Sequence, residues 1–230
     1  MILRQLFDHE SSTFTYLVAD EATKRAALID PVAAQVDRDL KLIAELGLTL
    51  VMALDTHVHA DHVTGAGELR SRTGAKTAAS ALGAPCVDVK LNAGDVIAIG
   101  ELELKVLATP GHTDDSLSFL LEGHVFTGDA LLVRGTGRTD FQNGDARTLF
   151  DSITRVLFGL PAETVVLPGH DYKGFSSTTI AEERAHNPRI AGKSAEEFES
   201  LMQSLALAPP KKLDIAVPAN RACGQALPTV

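Results

Sequence analysis

A short apolar run, Leu50 to Leu54, empties directly into Thr56-His57-Val58-His59-Ala60-Asp61-His62. Three imidazoles and a carboxylate therefore sit together just past a buried strand. Neutral imidazole and carboxylate are ligands for borderline divalent metals. In an extended exit loop, residues two apart point the same way, so His57 and His59 can converge. A loop that only capped the following helix would need a single acceptor. The cluster thus demands a fold in which a strand delivers a loop to a metal-binding edge.

Three further places repeat that context. Thr109-Pro110-Gly111-His112-Thr113, Thr127-Gly128-Asp129 and Pro168-Gly169-His170-Asp171 each follow a strand-like run. Each puts a His or Asp at a strand end, beside Gly or Pro. Strand ends along one sheet edge bring distant residues together, and the adjacent turn frees the side chain from the ladder.

The surrounding pattern is mixed α/β. Residues 13–20 and 25–30 read as a strand pair. Val36, Leu40, Ile43 and Leu46 form one stripe of an amphipathic helix that Gly47 stops. In 101–106 charged and apolar residues alternate, which marks a strand with one wet face. Segments 116–121 and 124–127 are strands turned at Glu122-Gly123. A helix is expected over 146–157 with Asp145 as N-cap, then a strand over 163–167. Thr179 with Glu182, and Ser194 with Glu197, fit capping boxes. Strand blocks separated by helices argue for sheets covered by helices, in one domain spanning 1–230.

Charge and composition narrow the function. The chain has 230 residues, with 21 Lys+Arg against 30 Asp+Glu and a formal net charge of −9. Phosphates require a concentrated basic face, so a nucleic-acid partner is not expected. No apolar run reaches the length of a membrane helix, and no secretory or transit segment is visible, so no membrane partner is expected. Cys86 and Cys223 cannot make a disulfide framework and fit a reducing cytoplasm, where the chain is expected to reside. His9, His124 and His186 lack any ligand context and read as surface or structural residues.

His-x-His-x-Asp-His with a later His, Asp and His resembles the metallo-β-lactamase superfamily. The resemblance implies an α/β fold, the αββα sandwich, with metal at one edge of the sheets. A more specific likeness lies in Arg134-Gly135-Thr136-Gly137-Arg138-Thr139-Asp140-Phe141-Gln142. His170-Asp171-Tyr172-Lys173-Gly174-Phe175, Glu182-Glu183-Arg184, Asn187-Pro188-Arg189 and Ala216-Val217-Pro218-Ala219-Asn220 add to it. These runs are similar to the persulfide dioxygenases, or sulfur dioxygenases, over nearly the whole chain.

That likeness implies an iron-dependent enzyme that oxidises glutathione persulfide with O₂ and water to sulfite and glutathione. It implies one Fe(II) per chain, held by His57, His112 and Asp129, which are also the catalytic residues. His59, Asp61, His62 and His170 would orient ligands and ordered water. The motif by itself remains compatible with two metals, because those same positions complete a two-metal site in hydrolases of the superfamily. The likeness also implies a homodimer.

An anionic persulfide would be repelled by a chain of net charge −9 unless local cations dominate. Arg supplies a bidentate match to carboxylate. By resemblance Arg138 and Tyr172 are the main substrate contacts, with Arg134, Lys173 and Arg221 as further candidates. The competing job for Arg134 or Arg138 is a salt bridge that holds the loop, for instance to Asp140. Gly135 and Gly137 serve either a close backbone approach or an unusual turn. Cys223 matches a Cys common in the persulfide dioxygenases and reads as a small buried or surface thiol, with a redox or substrate-relay role as the alternative. The alternative activity is that of a hydroxyacylglutathione hydrolase, with a two-metal site of the glyoxalase II kind. Against it, Thr113-Asp114-Asp115-Ser116 follows His112 where those hydrolases usually carry a Gly-His pair.

Overall fold

The computed structural model describes residues 1–205, 207–209 and 212–224. By internal contacts the chain forms two compact units. The first comprises Met1–Leu91, Val96–Leu104 and the described residues from Pro209 onward. The second comprises Asn92–Asp95 and Lys105–Ala208.

In the first unit, β1 (Ile2–Asp8), β2 (Thr13–Ala19), β3 (Arg25–Ile29), β4 (Thr49–Leu54), β5 (Lys76–Ser80) and β6 (Val89–Leu91) lie in sequence order in one six-stranded sheet. The β1–β2 and β2–β3 pairs are antiparallel; β3 to β6 run parallel. Strand β4 has parallel neighbours on both sides, which explains its almost unbroken apolar run. Leu50, Ala53 and Leu54 are buried there. Asp30 N–H and Asp55 N–H close the ladder onto Leu54 O at 2.8 Å and Ala78 O at 3.0 Å. Just beyond, the chain leaves the sheet with the histidine loop. Helices α1 (Val36–Glu45) and α2 (Ala66–Thr73) cover this sheet, with Val36, Ile43, Ala66 and Leu69 in its core. Gly47, at φ +63°, ends the α1 turn as its lack of a Cβ allows.

The second sheet includes β7 (Val96–Ile99), β8 (Leu102–Ala108), β9 (Leu117–Leu121), β10 (His124–Gly128), β11 (Val165–Pro168) and β12 (Thr178–Thr179), in the order β12-β11-β10-β9-β8-β7. The alternation seen in sequence is realised in β8, where Leu102, Leu104 and Val106 are buried and Glu103 and Lys105 exposed. Strands β9 and β10 are joined by Glu122 and Gly123, both at positive φ, the turn whose twist matches a hairpin. Strands β10 and β11 are parallel, so Asp129 and His170 emerge from adjacent strands at the same end.

The second unit holds α3 (Ala146–Asp151), α4 (Ile180–His186) and α5 (Ala195–Ser204). The expected helix over 146–157 starts as read: Asp145 Oδ1 accepts from Thr148 N–H at 2.7 Å. Its second half differs, with Ser152–Leu157 wound as a π-helix. Ser152 Oγ there donates to Pro110 O at 2.7 Å. A Cβ on Gly111 would come within 2.4 Å of the Leu149 backbone, so helix and His112 turn meet backbone to backbone. Of the two capping boxes, Ser194 and Glu197 complete both halves. Thr179 caps α4, while Glu182 turns instead to Arg134.

The reading of both cysteines as thiols is corrected. Cys86 and Cys223 form a disulfide, with Cα atoms 5.9 Å apart across 137 positions of sequence. Local spacing carried no sign of so distant a pairing.

One buried carboxylate gives a stability prediction. Asp39 is fully buried in α1 and meets the Arg38 Nε at 2.8 Å. Burial outweighs that contact and raises its pKa from 3.8 to about 6. The native state therefore prefers the neutral acid. Its contribution is full below pH 3.8 and is lost as pH rises through 6. Holding it ionised at neutral pH costs about 3 kcal/mol. Asp39→Asn, which keeps an acceptor for Arg38, is expected to raise the melting temperature by about 5 °C at pH 8. The gain should shrink to nothing near pH 4. Thermal melts across that range check it, and a pH-independent difference would refute the assignment.

Candidate metal centre

In the first unit, the loop after β4 is organised around Asp30, a buried carboxylate at φ +52° just past the end of β3. Thr56 N–H donates to its Oδ1 at 2.7 Å and Thr56 Oγ1 to its Oδ2 at 3.0 Å. Because that hydroxyl proton is spent on Asp30, Thr56 Oγ1 accepts from His57 Nδ1, 3.0 Å away. His57 is thereby fixed as the tautomer whose Nε2 carries a lone pair, the form a metal ligand needs. His59 Nε2 lies 3.1 Å from Asp30 Oδ1, so this nitrogen is the donor and the ring is held from behind. The His57 and His59 rings stand 4.1 Å apart between centroids. Burial pushes the Asp30 carboxyl up, while His57 and the Thr56 N–H oppose that rise.

His62 Nδ1 contacts Asp61 Oδ2 at 2.9 Å, and Thr13 Oγ1 reaches the same oxygen at 3.2 Å. Asp61, His59 and His62 also form a group whose ligand atoms lie close enough together to hold an ion. His62 Nε2 is buried with no hydrogen-bond partner among the described residues. Asn220, from helix α6 (Leu213–Arg221), grips the backbone of this loop.

In the second unit, His112, Asp129 and His170 come together. His112 Nδ1 lies 2.7 Å from the Arg138 carbonyl oxygen, which only accepts, so Nδ1 bears the proton. His112 Nε2 then turns a lone pair towards Asp129 Oδ2 at 3.5 Å. His170 Nε2 lies 3.5 Å from Asp129 Oδ1. A lone pair facing a carboxylate oxygen is an arrangement that a cation between them reconciles. The donor set therefore fits a divalent metal.

The backbone around these side chains is tight. A Cβ on Gly137 would lie 2.3 Å from Asp129 O and 2.7 Å from His112 Nδ1. One on Gly169 would lie 2.6 Å from Asp129 Oδ1. Gly137 is therefore glycine for close approach. Gly135 has nothing nearer than Leu132 Cβ at 3.8 Å.

Both arginines of the loop are held in ion pairs. Arg134 forms ion pairs with both Glu182 and Glu183, and its own N–H donates to Glu183 Oε2 at 2.9 Å. Glu183 is fully buried, and Asn187 Nδ2 donates both to it, at 2.8 Å, and to Gly135 O, at 3.0 Å. Arg189 Nη1 donates to Thr136 O at 2.6 Å. These contacts clamp the 134–138 loop from behind. The ion pairs of Arg134 are the loop-holding job that competes with substrate contact for this residue. The geometry also gives the 182–189 segment a role in holding the Arg-Gly loop. Arg138 makes a bidentate pair with Asp140 at 2.6 and 2.7 Å, donates to Ala208 O at 2.7 Å, and lies 4.5 Å over the Phe141 ring. That pairing holds the Asp140 carboxyl below its usual range.

Tyr172 is exposed and stacks on His170 at 5.6 Å between centroids. Lys173 is exposed on the turn that Asp171 Oδ1 closes onto the Lys173 and Gly174 N–H groups. Arg221 is exposed at the end of α6. His9 and His186 are exposed and His124 is half-buried, outside both clusters.

Residues 10–170 match the model of the metallo-β-lactamase superfamily, and the fold is its α/β sandwich. The human mitochondrial persulfide dioxygenase ETHE1 is 47% identical over 100% of this chain and 91% of its own length. A crystal structure of ETHE1 from Myxococcus xanthus, 64% identical, superimposes with a TM-score of 0.97 over 98% of this chain and 100% of that one. A hydroxyacylglutathione hydrolase from Cereibacter sphaeroides is 36% identical over 78% of this chain and 71% of its own. Within the superfamily, the chain belongs to the persulfide dioxygenases.

Proposed function

We propose that the protein oxidises glutathione persulfide at one Fe(II) held by His57, His112 and Asp129, the whole chain working as one metallo-β-lactamase-like domain. Full-length similarity to persulfide dioxygenases carries the reaction class. Balanced, glutathione persulfide, O₂ and water give glutathione, hydrogensulfite and a proton. Iron supplies the redox exchange between sulfur and O₂. Two imidazoles and one carboxylate are the donor set that leaves positions open in non-haem iron oxygenases.

The chain's own residues do the rest. Thr56 and the Arg138 carbonyl fix the tautomers of His57 and His112. Asp30 holds His59, and Asp61 holds His62, in orienting roles that a one-metal site leaves them free to take. We assign the glutathione moiety to Arg138 and Tyr172, with Lys173 and Arg221 as outer contacts. No helix among the described residues is long and apolar enough to cross a membrane. We also propose a homodimer; the Cys86–Cys223 disulfide takes away the cysteine argument for a reducing cytoplasm.

His62 Nε2, buried without a hydrogen-bond partner among the described residues and grouped with His59 and Asp61, is the observation that favours a two-metal hydrolase. Protein purified without oxygen decides between them. We expect about one iron per chain, with O₂ uptake and sulfite formation on adding glutathione persulfide. Two metals, brisk hydrolysis of S-lactoylglutathione and no oxygen consumption would establish the hydrolase.

A further inference from the structure

Asn220 is 161 positions from His59 in sequence, yet its buried carboxamide is fully engaged by the histidine loop. Its Oδ1 accepts from Thr64 N–H at 2.8 Å, and its Nδ2 donates to both His59 O and His62 O at 2.8 Å. One acceptor and two donors meet one N–H and two carbonyls. Asp lacks the donors, and Gln is a methylene too long. The three partners are the backbone that follows His57 and carries His59, Asp61 and His62.

Helix α6 is a weak support for so exact a contact. It has nine residues with Pro218 inside, which is marginal for an isolated helix. Its C-terminal end is instead held by tertiary contacts. Gly67 N–H donates to Cys223 O at 3.0 Å, and a Cβ on Gly67 would lie 2.3 Å from that oxygen. A Cβ on Gly224 would lie 2.0 Å from Thr64 O. The one covalent tie is the bond from Cys223, three residues past Asn220, to Cys86, in the segment after β5. Strand β5 pairs with β4, the strand that feeds the loop.

We propose that Asn220 is a positioning residue for the metal loop and that the Cys86–Cys223 bridge keeps it seated, so that iron retention depends on the redox state of this cysteine pair. The inference deepens the proposed function and rests on His57 being an iron ligand. Cys223 is buried and Cys86 half-buried, so an incoming thiol attacks the Cys86 sulfur. The S–S bond breaks and Cys223 leaves as thiolate. A second thiol then resolves the mixed disulfide, releasing the Cys86 thiol. Two thiols are oxidised to one disulfide and the protein gains two electrons and two protons. Asn220 then keeps its hydrogen bonds and the packing at Gly67 and Gly224 but loses the cross-link.

The test measures the rate at which iron-loaded protein yields Fe(II) to a colorimetric chelator without oxygen, well below the melting temperature. The disulfide form is compared with protein reduced by dithiothreitol and desalted, with Cys86→Ser, and with Asn220→Ala and Asn220→Asp. We expect release about tenfold faster in both Asn220 variants, the lower end of what outer contacts typically change in metal affinity. Reduced protein and Cys86→Ser should both release iron several-fold faster, and dithiothreitol should not change Cys86→Ser further. The visible spectrum of Co(II)-substituted Asn220→Asp should shift, a signature that general loosening of the fold would not produce. If Asn220→Ala does not fold, the nearly isosteric Asn220→Asp and the two cysteine arms still decide. Unchanged release in Asn220→Asp, or equal release from oxidised and reduced protein, overturns the proposal. If the oxidised protein itself binds no iron, the functional reading falls first, and this inference with it.

Discussion

Replacing His112 by alanine should leave a folded protein that neither retains iron nor oxidises persulfide. His112 is only partly buried, and its hydrogen bonding runs to the Arg138 carbonyl, so its removal opens little of the core. What is lost is the lone pair beside Asp129. Loss of an outer partner typically costs roughly 10–100-fold in metal affinity or activity, and loss of a ligand should exceed that. Iron content by elemental analysis, turnover by O₂ uptake and a circular dichroism melt separate the outcomes. Turnover retained with a normal melt would remove His112 from the mechanism.

Gly137→Ala should be nearly as damaging by a different route. The added methyl group would overlap Asp129 O and the His112 ring, at 2.3 and 2.7 Å. Neither neighbour can yield cheaply. One is backbone, and the ring is pinned by its bond to Arg138 O. The loop has little room to back away, because Glu183, Asn187 and Arg189 hold it from the other side. Overpacking of this kind costs roughly 1–3 kcal/mol, or about 5 °C in melting temperature for a chain of this size. Iron affinity should fall with it, since His112 must turn to make room. Gly135→Ala, with its nearest neighbour at 3.8 Å, is the matched control and should melt within about 1 °C of wild type. Equal behaviour of the two variants would refute the close-approach reading.

Much of the architecture was legible because it is local. The alternation in 102–106, the apolar run before His57 and the stripe over 36–46 each report a periodicity that the backbone must satisfy. Strands β1, β5 and β6 and helix α2 were harder to read. The first two lack a clean alternation, and β6 is only three residues long. Helix α2, Ala-Gly-Glu-Leu-Arg-Ser-Arg-Thr, has almost no apolar stripe and is placed by Gly67 packing under Cys223. The π-wound second half of the 146–157 helix leaves no signature in the pattern of apolar residues.

The histidines and aspartates at the strand ends were determined by the sequence alone, because residue type and strand-exit context are one-dimensional facts. Which nitrogen of each imidazole keeps its lone pair was decided only in three dimensions, by Thr56 for His57 and by Arg138 O for His112. The same holds for the assignment of Arg134 to Glu183, the pairing of Cys86 with Cys223, and the reach of Asn220 to the histidine loop. The reason is physical. A periodic pattern encodes which face of an element is buried, but a hydrogen bond or a disulfide depends on distance and direction between groups that only the folded chain brings together.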